Sequence, residues 1–223
     1  MNAEWRATVT SVRAGRIARH DRPDWDEVRP EWNTAFWKDE IAGAVHVGTL
    51  GVEGDQQADK QHHGGPEMAV LMYAESHYDY WRTLAGLAAM GPGGFGENLV
   101  LRGTDETQVC VGDVLDIGSA RLQVASPRGP CMDISRRWNT AGLLQQVVDS
   151  RRTGWYLRVL REGAVASGDA VTLVERPHEG WTIDRLLALR YVAPRDHAAL
   201  AEAASLGAFA REWREQFARL SAR

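Results

Sequence analysis

The chain has 223 residues, 44% of them hydrophobic and 25% charged, with a formal net charge of −4. That composition supports a folded domain with a real core, and the mild negative charge excludes general nucleic-acid binding. Two cysteines, Cys110 and Cys131, exclude a disulfide scaffold and a four-cysteine iron–sulfur or zinc site within one chain. The opening "MNAEWRATVTSVRAG" lacks the continuous apolar stretch of a secretory leader, and no apolar run is long enough to span a bilayer. The expectation is a cytoplasmic protein with no membrane segment and free thiols.

In chain order, "EWRATVTSVRAGRIA" alternates loosely and reads as a strand with a Gly turn. Residues 21–37, rich in Pro, Asp and Trp and without period, read as a surface loop that could return to a site. "AGAVHVGTLGVEGD" reads as strand, turn, strand. Ala69–Tyr73 reads as a short apolar strand. A helix follows from about Glu75, with Tyr78, Trp81 and Leu84 at helical spacing. "GPGGFGENLVLRG" is a glycine-rich loop entering a strand, and "TQVCVGDVLDIGSARLQVASPRGP" gives short strands broken by Gly-Asp and Gly-Ser. "NTAGLLQQVVDSRRTG" reads as a helix, and "GWYLRVLREGAVASGDAVTLVERP" returns to strands. After Pro177 the pattern is helical through "WTIDRLLALRYV", "RDHAALAEAAS" and "GAFAREWREQFARLSAR", with Thr182 and Asp184 suited to a helix start and Ala-Pro and Leu-Gly as breaks. Many short strands at regular turn spacing predict a barrel or sandwich, here mainly β with peripheral helices, over residues 1–176. A three-helix C-terminal domain follows over 177–223.

Three stretches carry candidate chemistry. "GPGGFG" matches the dinucleotide-binding spacing at Gly91, Gly93 and Gly96, but a helix precedes it and a strand follows. That is the reverse of the fingerprint's context and excludes it. A plain connector remains, or a turn whose N–H groups face an anion. "GDQQADKQHHGG" offers Asp55, Asp59, His62 and His63 as metal ligands or as an ordinary polar loop; its spacing fits no zinc pattern. Cys131 follows Pro127 and Pro130, with Arg128 before it and Arg136 and Arg137 after it. Those arginines would favour a thiolate. A buried structural thiol, a nucleophile, a persulfide carrier and a ligand to a soft metal all fit the residue type. Cys110 reads as core, and Trp155 as core or as a wall of the site.

Four stretches occur in one order: "LGVEGDQQADKQHHGGPEMAV", "FGENL", "VGDVLDIGSARLQVASPRGPC" and "GWYLRVLREGAVASGD". Together they resemble the MOSC domain, the module named for the C-terminal part of molybdenum cofactor sulfurase, from about Val9 to Val174. The tail resembles the three-helix domain of the bacterial subgroup that protects against 6-hydroxylaminopurine, and "NTAFWKDEIAG" is similar to that subgroup's segment ahead of the Gly-Asp motif.

The resemblance implies a β-barrel around a molybdenum cofactor (molybdopterin), with Cys131 as the ligand to molybdenum. The family's His-Gly-Gly motif falls on His63, Gly64 and Gly65, and its Gly-Glu-Asn motif on Gly96, Glu97 and Asn98. The basic residue before the cysteine is Arg128, and the subgroup's upstream lysine is matched by Lys38. Gly129 stands where relatives often carry a small polar residue, which should loosen the turn slightly and leaves the ligand assignment standing. The implied activity is reduction of N-hydroxylated compounds such as 6-hydroxylaminopurine. Arg128 and Lys38 would offset the charge of the pterin phosphate, the glycine loop would add N–H donors, and His63 would supply a proton. The chain shows no flavin or nicotinamide fingerprint, so electrons are expected from a separate flavin or iron–sulfur reductase. A sulfur-transfer or cofactor-carrier protein using Cys131 is the alternative, and a cofactor-free binding module is a third reading. True sulfurase activity is not expected, because no pyridoxal-phosphate domain is seen. A homodimer is the commonest assembly for such a chain.

Overall fold

The computed structural model describes residues 6–26, 32–61, 63–192 and 196–223. Part of the 21–37 loop, the candidate ligand His62 and the Ala193–Pro194 break lie outside the described residues.

In chain order the elements are β1 (Ala7–Ala14), β2 (Ala18–His20), β3 (Trp32–Thr34), β4 (Asp39–Glu40), β5 (Val45–Gly48), β6 (Gly51–Val52), a 3-10 turn (Pro66–Met68), β7 (Val70–Ala74), α1 (His77–Arg82) and β8 (Leu99–Arg102). There follow β9 (Val114–Ile117), β10 (Ala120–Pro127), α2 (Met132–Arg137), α3 (Leu143–Ser150), β11 (Trp155–Arg161), β12 (Gly163–Val165) and β13 (Ala170–Glu175). The tail holds α4 (Ile183–Tyr191), α5 (His197–Ser205) and α6 (Arg211–Ser221).

Seven strands close into a barrel in the order β1-β8-β7-β11-β10-β9-β13, and β13 pairs back to β1 through Ala7↔Val171 and Thr8↔Ala170. The mainly β barrel with helices read from the sequence is the observed architecture. One neighbouring pair, β7 and β8, is parallel, with Met72 opposite Leu99. A parallel pair needs a long crossover. Here that crossover carries α1 and the glycine loop to one end of the barrel.

Period-two alternation sorts side chains between two cores. Val70, Met72, Leu99 and Leu101 join the barrel interior, while Tyr73 and Val100 face an outer cluster with Tyr78 and Trp81 of α1, Ile134 of α2 and Leu143 and Val147 of α3. Both faces of β7 are therefore covered, which is why "VLMYA" is buried at every position.

The tail is not a detached body. Ile183, Leu186, Leu200, Phe209, Trp213 and Phe217 share one apolar cluster with Val109, Val111 and Val124 of the barrel. Val111 N donates to Trp181 O at 3.0 Å, Ile183 N to Val109 O at 2.9 Å, and Ala210 N to Ala125 O at 2.9 Å. Thr182 caps α4 by accepting from Arg185 N at 3.1 Å, as its position predicts.

Three local readings are corrected. Segment 32–36, expected as surface loop, holds β3 and buries Trp32, Ala35 and Phe36, because their apolar area outweighs the polar residues before them. Helix α1 stops at Arg82, before Leu84. The stretch after Cys131, to which the sequence assigned no element, is a helix, α2.

Candidate functional site

Strands β10 and β11 run together to one end of the barrel, where Pro127 pairs with Trp155 and Ser126 with Tyr156. Arg128 N extends the ladder by donating to Gly154 O at 3.0 Å. Three residues later Cys131 takes the position before the first turn of α2, with extended backbone angles. The His63 loop, segment 33–38 and Asn98 close in from the other sides. Thr34, Phe36, Lys38, His63, Gly64, Gly96, Asn98, Arg128, Cys131 and Tyr156 line a cavity of about 110 Å³. Asn33, His63, Gly64, Cys131, Asp133 and Tyr156 also line a wider cleft of about 1440 Å³, which reaches Gly65 and the α6 residues Trp213 and Gln216. The cavity suits one end of a ligand, and the cleft its body.

Cys131 Sγ lies 3.7 Å from His63 Nε2. Arg128 is only 3% exposed, and its Nε and Nη1 meet no hydrogen-bond partner among the described residues. Its guanidinium packs over the Phe36 ring at 5.6 Å. A buried cation with open donors is costly unless an anion meets it, and the planar guanidinium fork matches phosphate oxygens. A soft sulfur beside such a cation fits a group that carries both a thiophilic metal and a phosphate, as the molybdenum cofactor does. The residues present therefore fit the group that the sequence resemblance implies.

Of the three arginines, Arg128 pulls hardest on the Cys131 thiol and Arg136 adds a smaller pull in the same direction. Arg136 is shared with Asp26 at 2.7 Å and Asp133 at 2.9 Å, and Arg137 stacks over Trp37 at 4.9 Å. Burial pushes the Cys131 thiol up, and the pull of Arg128 only partly offsets it. Burial likewise holds the Tyr156 phenol above its ordinary range, beside Arg128.

Lys38 forms an ion pair with Asp55, whose carboxylate also accepts from Gly15 N at 2.8 Å and Asn98 Nδ2 at 2.9 Å. Burial lowers the Lys38 pKa, and Asp55 counters it. The lysine charge is thus committed to Asp55 rather than free for a ligand. Asn98 also accepts from Leu71 N at 3.1 Å and donates to Arg13 O at 3.2 Å, so it pins β7 and β1 around the cavity.

The glycine loop differs from expectation. Gly93 N, Phe95 N and the Tyr78 hydroxyl all donate to the buried Glu97 carboxylate, Gly94 N donates to Gly91 O, and Gly96 N donates to Gly93 O. Those donors are consumed inside the loop, because an unpaired buried carboxylate would cost more than the loop can bear. Glu97 therefore holds the loop and does not line the cavity. Gly96 does line it, at φ +68, where a Cβ would stand 2.9 Å from the Phe36 ring; only glycine lets that ring close the wall.

Two further candidates resolve. Trp155 is fully buried in the barrel core, and its neighbour Tyr156 faces the cavity instead. Among the described residues no three His, Cys, Asp or Glu side chains group to hold a metal, and Asp55 serves Lys38, Asn98 and Gly15. Cys110 is buried, as read. The site residues missed in the sequence are Thr34, Asp133 and Tyr156, the first two joined by a 3.0 Å hydrogen bond from Thr34 Oγ1. Tyr156 had a signal: a strand that turns Trp155 inward turns the next residue out.

Comparison with known proteins places this geometry. Residues 59–172 match the MOSC domain model, and residues 181–220 match the YiiM-like, 3-alpha helix domain. The chain is 33% identical over 184 residues to the uncharacterized protein YflK of Bacillus subtilis, covering 82% of this chain and 83% of that one. It is 34% identical over 184 residues to a protein of Gibberella moniliformis named Reductase, covering 78% of this chain and 30% of that protein. The crystal structure of YiiM from Geobacillus stearothermophilus superposes with a TM-score of 0.79 at 28% identity, covering 96% of this chain and 99% of that one.

Proposed function

The chain belongs to the MOSC domain family, and on that premise we propose that it is a molybdenum-cofactor-dependent reductase of N-hydroxylated compounds such as 6-hydroxylaminopurine. The observation that carries the reading is Arg128, buried in the same cavity wall as the Cys131 thiol with two nitrogens that meet no partner among the described residues. A relative named Reductase supports the oxidoreductase class.

When bound, the cofactor would supply the two-electron chemistry of R–NHOH + 2 e⁻ + 2 H⁺ → R–NH₂ + H₂O. Cys131 would hold the molybdenum, and Arg128 would meet the anionic oxygens of the pterin phosphate. Gly64, Gly65 and Gly96 would let backbone approach the ligand closely. Glu97 and Asn98 would act through the loop and strands they fix. His63, 3.7 Å from Cys131 Sγ, would hold the proton needed as the hydroxyl leaves as water. Lys38, paired with Asp55, would set the local potential rather than deliver that proton. The substrate would enter by the cleft. Electrons would come from a separate flavin or iron–sulfur reductase in the cytoplasm. A sulfur carrier and a metal ligand both need the Cys131 thiolate; the buried Arg128 fork in the same cavity, suited to a phosphate, favours the ligand role.

The test is reduction of 6-hydroxylaminopurine by protein made in a host that synthesises the cofactor, with reduced viologen as donor. Wild type should turn over and Cys131→Ser should lose at least about a hundredfold. Full activity in Cys131→Ser would overturn the mechanism.

A further inference from the structure

Helix α6 has no local cap. The residue before it is Ala210, whose side chain accepts nothing. The first N–H groups of a helix need acceptors and favour negative charge. Glu67, 144 positions earlier in the chain, supplies both: its Oε2 accepts from Arg211 N at 3.0 Å. Its Oε1 accepts from Arg158 Nη2 at 3.0 Å. Arg158, on β11, also donates through Nη1 to Ala208 O at 2.8 Å, just ahead of α6. One carboxylate thus ties a barrel strand to the start of the last helix. Glu67 sits in the 3-10 turn that follows His63, Gly64 and Gly65, where Met68 N donates to Gly65 O at 3.1 Å. Met68 lines the inner cavity, and Glu67 and Trp213 line the cleft.

We infer that Glu67 is a positioning residue: it latches the His63 loop to α6 and Arg158, so that the seating of the helical tail sets the shape of the cavity. The latch does not depend on any ligand. Its consequence for chemistry rests on the His63 and Cys131 reading above. A helix cap alone would serve only α6; the latch also restrains the loop. A capping side chain placed at 210 separates the two roles, because it mends the helix and leaves the loop free.

The experiment follows amide hydrogen exchange of residues 59–68 and 211–216 in the full-length chain, with the rate of maleimide addition to Cys131 at fixed pH. Cys110 is buried and serves as the slow internal reference. Glu67→Ala should raise exchange in both segments about fivefold and speed addition at Cys131. Glu67→Gln, which keeps an acceptor, should show the same pattern at smaller amplitude. Ala210→Ser added to Glu67→Ala should restore 211–216 and leave 59–68 and Cys131 fast. Unchanged exchange at 59–68 in Glu67→Ala, or its recovery with Ala210→Ser, would overturn the latch. None of these readouts needs molybdenum, so failure of the reductase reading would leave them unchanged.

Discussion

A guanidinium held inside a protein with two open nitrogens carries a desolvation cost that its neighbours do not return. For Arg128 those neighbours are a ring face, a phenol and a thiol. Arg128→Met should therefore stabilise the ligand-free chain, by on the order of 1–3 kcal/mol, while abolishing retention of the cofactor. Thermal unfolding read beside molybdenum content checks both; a destabilised variant that keeps the metal would contradict the argument. At this scale the sequence was informative where a motif names a residue outright. His63, Gly64, Gly96, Arg128 and Cys131 lie in one cavity wall. It was uninformative about which charges cancel. Arg136 and Arg137 flank Cys131 in the chain, but Asp26 and Trp37, more than a hundred positions away in sequence for the first, decide what those arginines do. Lys38 likewise meets Asp55 only through the fold.

Among the elements, strands and tail helices were legible because alternation and helical spacing survive in short windows. Helix α2 was not: Pro127, Pro130 and two arginines mask its one buried turn, which Ile134 anchors in the outer core. Nor was the 32–36 segment, whose Trp and Phe read as loop until the barrel end gave them a surface to cover. The β9–β10 hairpin offers an element-scale prediction. Arg121 binds Asp116 in a two-pronged contact at 2.7 Å, and its hydrogen bonds hold the Asp116 carboxyl below its usual range. A depressed carboxyl contributes stability above its unfolded pKa, near 4, and loses it as pH falls through its lower folded value. Arg121→Met should thus lower the unfolding temperature slightly at neutral pH. The gap to wild type should close as pH falls below the ordinary carboxylate range and through the lowered Asp116 value. A gap that persists undiminished in acid would assign the loss to packing instead.

For the molecule as a whole, the tail and barrel share one core, which makes truncation a test of folding before it is a test of function. Removing residues 181–223 strips Ile183, Leu186, Leu200, Phe209 and Phe217 from the shared cluster. Each is worth about 1.5–3 kcal/mol when fully buried, so their sum reaches the whole stability of an ordinary domain, roughly 5–15 kcal/mol. The shortened chain should fail to unfold cooperatively. A soluble barrel with a sharp thermal transition would show that the two parts fold separately. Among the described residues no helix is long and apolar enough to cross a membrane, and the cleft lined by α6 also reaches Cys131. On the proposed reading, this cavity holds a molybdenum cofactor through Cys131. Molybdenum per chain, measured by mass spectrometry on wild type and Cys131→Ser from a cofactor-producing host, tests it most directly. Wild type should carry near-stoichiometric metal and the variant should lose it; metal absent from both, or retained in Cys131→Ser, would overturn the cofactor reading.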